Sequence, residues 1–306
     1  MGSYKYLMVF MSATELGYSL IDVLLKPEVI SIGDFWIVGT NSRRTELPLW
    51  LAYPLVLLWG ASYGVAVASF GVHFIFRYFM VIGNRKWVSG PLNLLFWFTI
   101  LFASGFIYAF TIHYFLHFDE ILEVVTRQQI PDLYGISTNE MVYYGFSLYQ
   151  IRPSEEWNWR NLEGVIVMGS IVTLSLITML YFAVQAYWAI QKWSSISVNL
   201  CSLSKTLQTQ LFYSLVVQTI IPVILIHLPT TIIVLNSFFG TGREIFGKII
   251  TVTISLFPAI DPLPSLIIIR PYREAIRGFL PFQRPNPSSV RPEESKFSNF
   301  NTRTVA

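Results

Sequence analysis

The chain has 306 residues, of which 53% are hydrophobic, 16% aromatic and only 13% charged, and its net charge is +3. The charged share is about half that of soluble domains, which excludes an ordinary soluble enzyme; the aromatic content excludes a disordered chain, and the small charge excludes a nucleic-acid binder. The single cysteine, Cys201, leaves no intramolecular disulfide and no cysteine-based zinc site.

The N-terminal stretch does not read as a secretory leader. Its apolar run continues to Leu25, too long for a leader's core, and no small-residue cleavage site follows. A helix needs about 20 apolar residues to cross the hydrocarbon layer, and six stretches meet that length in chain order. They are Tyr6 to Leu25, then segments inside Leu47 to Phe76, Trp87 to Phe118, Gly164 to Gln191 and Thr206 to Gly242, and finally Ile249 to Ile269. The fold class expected is all-α, a polytopic membrane helix bundle with six visible spans. Two regions are expected, a bundle over 1–280 and a cytoplasmic tail over 281–306 whose Pro, Ser and Asn content predicts disorder.

Orientation follows from Lys and Arg. With the N-terminus inside, the inner segments carry 13 of them and the outer segments 8. Both ends are therefore expected in the cytoplasm. No internal repeat is visible, so a duplicated transporter has no positive support.

Several polar residues stand inside the spans. Glu15 and Asp22 of the first are seven apart, which places them on one helix face. They read either as acids buried by neighbours or as part of a proton or cation path. Arg77, followed by Tyr78, closes the second span; it reads either as an arginine snorkelling to phosphates or as a coupling arginine facing a cytoplasmic partner. Pro222 and Pro229 predict a kink in the fifth span, which also carries His227. Asp261 lies near mid-membrane, beside Pro262, and reads as an acid filling a polar hole or as a hinge. His113 and His117 are four apart, but no third ligand accompanies them, so packing is preferred to a metal site. After the last span, Arg270, Arg273 and Arg277 alternate with apolar residues, and Tyr272 stands among them; this predicts a short amphipathic helix on the inner leaflet. No P-loop, metalloprotease, hydrolase or dinucleotide motif is present, so no catalytic residue, metal or cofactor is assigned.

Four strings carry a resemblance. "KTLQTQLFYSLVVQTIIPVILIHLP" from Lys205 and "FPAIDPLPSLIIIRPYREAIRGFL" from Phe257 resemble the sixth and seventh helices of the nematode seven-transmembrane chemoreceptors of the str class. "SFGVHFIFRYFMV" from Ser69 resembles the end of the third helix, and the segment from Met1 resembles the second. The resemblance covers Met1 to Leu280 and implies a rhodopsin-like receptor that starts at the family's second helix. It further implies an odorant-like, small and weakly polar ligand held between helices beneath the stretch 119–163, with membrane lipid and a heterotrimeric G protein as partners. The G protein would dock near Arg77, Lys192, Lys205 and Arg273, and Pro222, Asp261, Pro262 and Tyr272 would belong to the switching helices. It implies the plasma membrane, and a sensory cilium, as location. With no cysteine partner, the outer stretch is expected to be held by packing alone. Two other readings remain open on these residues: a six-span transporter or channel using Glu15, Asp22 and Asp261, and a truncated receptor that does not signal.

Overall fold

The computed structural model describes residues 4–117, 122–124, 126–127, 138–149, 157–196 and 202–279. Six helices within them are long and apolar enough to cross a membrane: Tyr4–Leu25, Leu49–Val81, Pro91–Leu116, Trp159–Lys192, Thr209–Phe239 and Glu244–Ile268. They coincide with the six stretches expected from hydropathy. The tail from 281 onward lies outside the described residues.

The second span is the axis of the bundle and packs against the first, third and fourth. Small residues permit this. A Cβ on Gly64 would meet the Tyr108 ring at 2.7 Å, so only glycine lets the second and third spans approach so closely. Ser104 uses that proximity and donates to the Gly64 carbonyl at 2.9 Å. The first span turns a stripe of Tyr4, Leu7, Met11, Tyr18, Asp22 and Leu25 inward, a helical spacing that aims one face at its neighbours. Its other residues, such as Leu16 and Val23, remain exposed. In a membrane protein such faces meet lipid.

Three helices are interrupted. The third span passes into a π turn at Ile112–Leu116. The fifth has a π turn at Val223–His227, directly after Pro222, and resumes at Leu228–Phe239. The expected kink at Pro222 is thus a change of helical pitch. Pro229 sits in the first turn of the resumed helix, where its missing N–H costs little. The sixth span stops at Ile260 and restarts at Leu263, so Asp261 and Pro262 lie in the break.

A small antiparallel sheet is added to the helices. Strands β1 (Glu28–Ile32), β2 (Phe35–Asn41) and β3 (Met141–Ser147) lie in the order β1-β2-β3. Ile32 pairs with Phe35, so Gly33 and Asp34 make a two-residue turn, and Gly33 adopts a φ of 59° that a side chain would oppose. Gly33 also exchanges backbone hydrogen bonds with Gly242, which fastens the hairpin to the connection between the last two spans. Val29 donates to Thr251 Oγ1 at 2.9 Å. The expectation of an outer stretch held by packing alone is corrected here: residues 141–147 are held by a main-chain ladder to β2. We call this the sheet end, and the end carrying Arg270–Phe279 the tail end.

Candidate functional site

A cavity of about 30 Å³ opens at mid-depth between the first, second, fifth and sixth spans. That is room for two or three waters. Met11, Thr14, Glu15 and Tyr18 supply one wall, the second span from Ser62 to Phe70 another, and Pro222, Ile226, His227 and Phe257 the third. The geometry follows from sequence. Residues 11, 14, 15 and 18 are one face of a helix, and the π turn after Pro222 swings Ile226 and His227 towards them.

The lining is mostly apolar with a few polar groups placed in it. The Tyr63 hydroxyl and His227 Nδ1 are 3.1 Å apart. Glu15 lies within electrostatic range of Asp261 on the sixth span, and the two carboxylates are each other's charged neighbours. Asp261 is fully buried, and its carboxyl group is in side-chain contact with that of Glu15. Its backbone carbonyl accepts from Gln218 Nε2 at 3.3 Å, and Ser214 and Ser265 bond at 3.0 Å nearby. These two contacts bridge the fifth and sixth spans beside the break at Pro262.

One turn towards the sheet end, Asp22 accepts from the Trp59 indole at 3.1 Å. Tyr18 stacks on Trp59 with centroids 5.9 Å apart. Above them the sheet roofs the bundle, and Tyr144 and Phe146 of β3 join the main core. His117 sits at this roof, and its Nδ1–H donates to the Tyr143 carbonyl at 2.9 Å. Burial holds its imidazole below the ordinary value, and nearby His113 lowers it further, while the bond to Tyr143 opposes both. The His113 Nδ1 and the Tyr53 hydroxyl are hydrogen-bonded at 2.6 Å. No group of three metal-ligating side chains occurs among the described residues.

Arg77 is where the sequence reading needs correction. It is 1% exposed, so it does not snorkel to the surface. Val81 continues the helix for a further turn, and Arg77 stays under the Tyr4 ring at 5.9 Å. His73 meets the same ring edge-on at 5.8 Å, and Tyr272 of the terminal helix is also within range of Tyr4. Tyr78 faces away, against Phe182 at 5.6 Å. Arg273 is exposed on helix Arg270–Phe279, and Lys192 is exposed at the end of the fourth span. The side chain of Lys205 lies outside the described residues.

Of the expected site residues, Glu15, Pro222 and His227 line the cavity, Asp261 neighbours Glu15 with Pro262 beside it in the helix break, Asp22 lies one turn beyond Tyr18, and Arg77 and Tyr272 both lie near Tyr4 at the tail end, apart from Tyr78 and the exposed Arg273. Sequence reading missed Trp59 and Tyr63. Their signal was present as an inward stripe with Phe70, Phe74 and Arg77, at helical spacing in the charge-free second span.

An apolar six-span bundle with an internal polar-studded cavity defines an integral membrane protein of the serpentine type. Residues 1–277 match the sequence model described as "Serpentine type 7TM GPCR chemoreceptor Str", and the chain belongs to that family. It is 29% identical over 296 residues to the Caenorhabditis elegans protein named "G-protein coupled receptor str-217", covering 92% of this chain and 81% of the relative. It is 26% identical to "Serpentine receptor class r-10" of the same species over 284 residues, covering 92% and 82%. The protein named "G-protein coupled receptor str-33", also from C. elegans, is 24% identical over 282 residues, covering 90% and 80%.

Proposed function

We propose that this chain is a chemosensory receptor that binds a small ligand in the cavity and signals to a heterotrimeric G protein at the tail end. The observation that carries the reading is that the cavity is walled by two of the three interrupted helices, the fifth and the sixth spans. Pro222 and the π turn form part of one wall, and Phe257, four residues before Asp261, forms part of another. A ligand shifts a conformational equilibrium only by touching parts that differ between the two states. Interrupted helices are such parts, because their hydrogen-bond ladders are already broken. The ligand has a mainly apolar body and one polar handle, as the lining requires.

The switch runs from the cavity through Gln218–Asp261 and Ser214–Ser265 to the terminal helix. Displacing that helix would move Tyr272 off Tyr4 and uncover Arg77 for the G protein, beside Lys192 and Arg273. The terminal helix keeps three arginines on an amphipathic face for the inner leaflet. The plasma membrane of a sensory cell, and its cilium, is the location this role requires.

The test is a ligand-driven calcium or cAMP response in cells expressing the chain together with a G protein. Arg77→Ala should lower that response about tenfold or more, the scale of one lost buried charge contact, while ligand binding to purified protein persists. An undiminished response in cells stripped of G proteins would overturn the reading.

A further inference from the structure

We infer that Tyr4 is a removable cover on Arg77, an autoinhibitory contact between the first turn of the first span and the tail end of the second. Its biological meaning rests on the receptor reading above; the contact itself is a matter of packing.

Arg77 is 1% exposed and Tyr4 is 6% exposed. They belong to different spans, and Arg77 Cζ lies 5.9 Å from the centre of the Tyr4 ring. The ring is seated against one face of the second span. His73 meets it edge-on at 5.8 Å, and Phe76 tilts against it, also at 5.8 Å. Residues 73, 76 and 77 are spaced i, i+3 and i+4, so their side chains share the face that receives the ring. A guanidinium gains more from an aromatic face when water is excluded. Tyr4 both supplies the face and helps to exclude the water. It packs with Leu7, Val72 and Phe76 in an apolar cluster separate from the main core that holds Met11 and Tyr18 of the cavity wall. The contact can therefore open while the cavity stays closed.

The cover also stands where opening is easy. Tyr4 is the first residue of its helix, and the first turn of a helix has backbone N–H groups with no intrahelical partner. Such ends open locally at a small fraction of the free energy of global unfolding. Lys5 and Tyr6 are exposed, so the turn can swing without dislodging a second buried side chain before Leu7. Tyr272 of the terminal helix is a neighbour of Tyr4. Release of that helix withdraws one neighbour of the cover, and departure of Tyr4 then presents Arg77 to the G protein. Seated, the cover keeps ligand-free signalling low.

The experiment uses the full chain in lipid nanodiscs and reads, by peptide mass spectrometry, the rate at which the guanidinium reagent phenylglyoxal modifies Arg77. The exposed Arg273 is the internal standard. Tyr4→Ala should raise the Arg77 rate about tenfold or more against that standard, the equilibrium shift for one lost desolvated cation–ring contact. Tyr4→Phe, which keeps the ring, and Tyr6→Ala, on the exposed side of the same turn, should leave it slow. A rate in Tyr4→Ala equal to that of the unaltered chain overturns the cover. If Tyr4→Ala does not fold, Tyr4→Leu decides, since it keeps apolar bulk without a ring: a rate as slow as in Tyr4→Phe overturns the inference. In cells given a G protein and no ligand, Tyr4→Ala should raise the resting calcium or cAMP signal severalfold, and adding Arg77→Ala should abolish the rise. A flat resting signal in Tyr4→Ala, while the unaltered chain answers a panel of small apolar odorants, overturns the autoinhibition and leaves the receptor reading intact. Fast labelling in Tyr4→Ala with no G-protein response from any variant sinks the receptor reading and leaves the cover standing.

Discussion

Trp59 and Asp22 show how one buried pair can hold two spans in register. The indole N–H is a donor with no solvent available, since Trp59 is buried, and Asp22 is the acceptor that reaches it. Removing the acceptor strands the donor, and an unmet buried donor costs about 1–3 kcal/mol. Asp22→Ala should therefore destabilise the chain by about 1–3 kcal/mol and lower its unfolding midpoint in nanodiscs, whereas Asp22→Asn, which keeps a carbonyl oxygen, should lie close to the unaltered chain. Equal losses in both would show that charge, and not the hydrogen bond, is what matters there. The inward direction of Asp22 was legible from its spacing to Glu15. Its partner was not, because nothing in a charge-free apolar run marks which of several aromatics will meet an acid on another helix. The same holds at Arg77: proximity to the end of an apolar run suggested the surface, and only packing against Tyr4 reveals burial.

The sheet is the element that hydropathy hid. "EVISIGDFWIVGTN" alternates apolar residues around Gly33-Asp34, which is a hairpin signature. Between two long apolar runs its hydropathy is that of a connection, and its third strand lies about a hundred residues later, a pairing that no local pattern encodes. The interrupted helices were easier to see, because proline marks Pro222 and Pro262 directly; the π turn after Pro222 was not, since pitch leaves no residue signature. The roof has a chemical consequence at His117. Its imidazole is held below the ordinary value of 6.5, mainly by burial. A histidine with a depressed folded value supports the fold fully above the unfolded value and loses that support as pH falls towards the folded one. The roof should thus weaken as the pH on its side of the membrane drops below about 6.5. Hydrogen exchange at the amides of residues 141–147 should rise over that interval in the unaltered chain. His117→Gln should remove the pH dependence, and exchange that stays flat in the unaltered chain would show that His117 does not report on the roof.

The six spans were readable because bilayer thickness fixes their length and water-soluble proteins do not need such runs. What hydropathy cannot supply is which way the bundle faces. The charge rule favours the tail end in the cytoplasm, with 13 Lys and Arg against 8. The structure adds an independent reason. The sheet end presents Arg43–Glu140 and Lys248–Glu244 ion pairs that neutralise their own cations. The tail end carries Arg273 and Arg277 on an exposed amphipathic helix, free to meet anionic lipid headgroups that are concentrated on the cytoplasmic leaflet. The sheet should accordingly lie outside. The chain offers a clean test, since its lone Asn-x-Ser sequence at Asn286 is blocked by Pro287. An Asn-x-Thr acceptor inserted between residues 130 and 137 should be glycosylated in microsomes, and one inserted between Asn84 and Ser89 should stay bare. The opposite pattern would turn the bundle over, place Arg77 and the terminal helix in the lumen, and leave the proposed G-protein surface on the wrong side of the membrane.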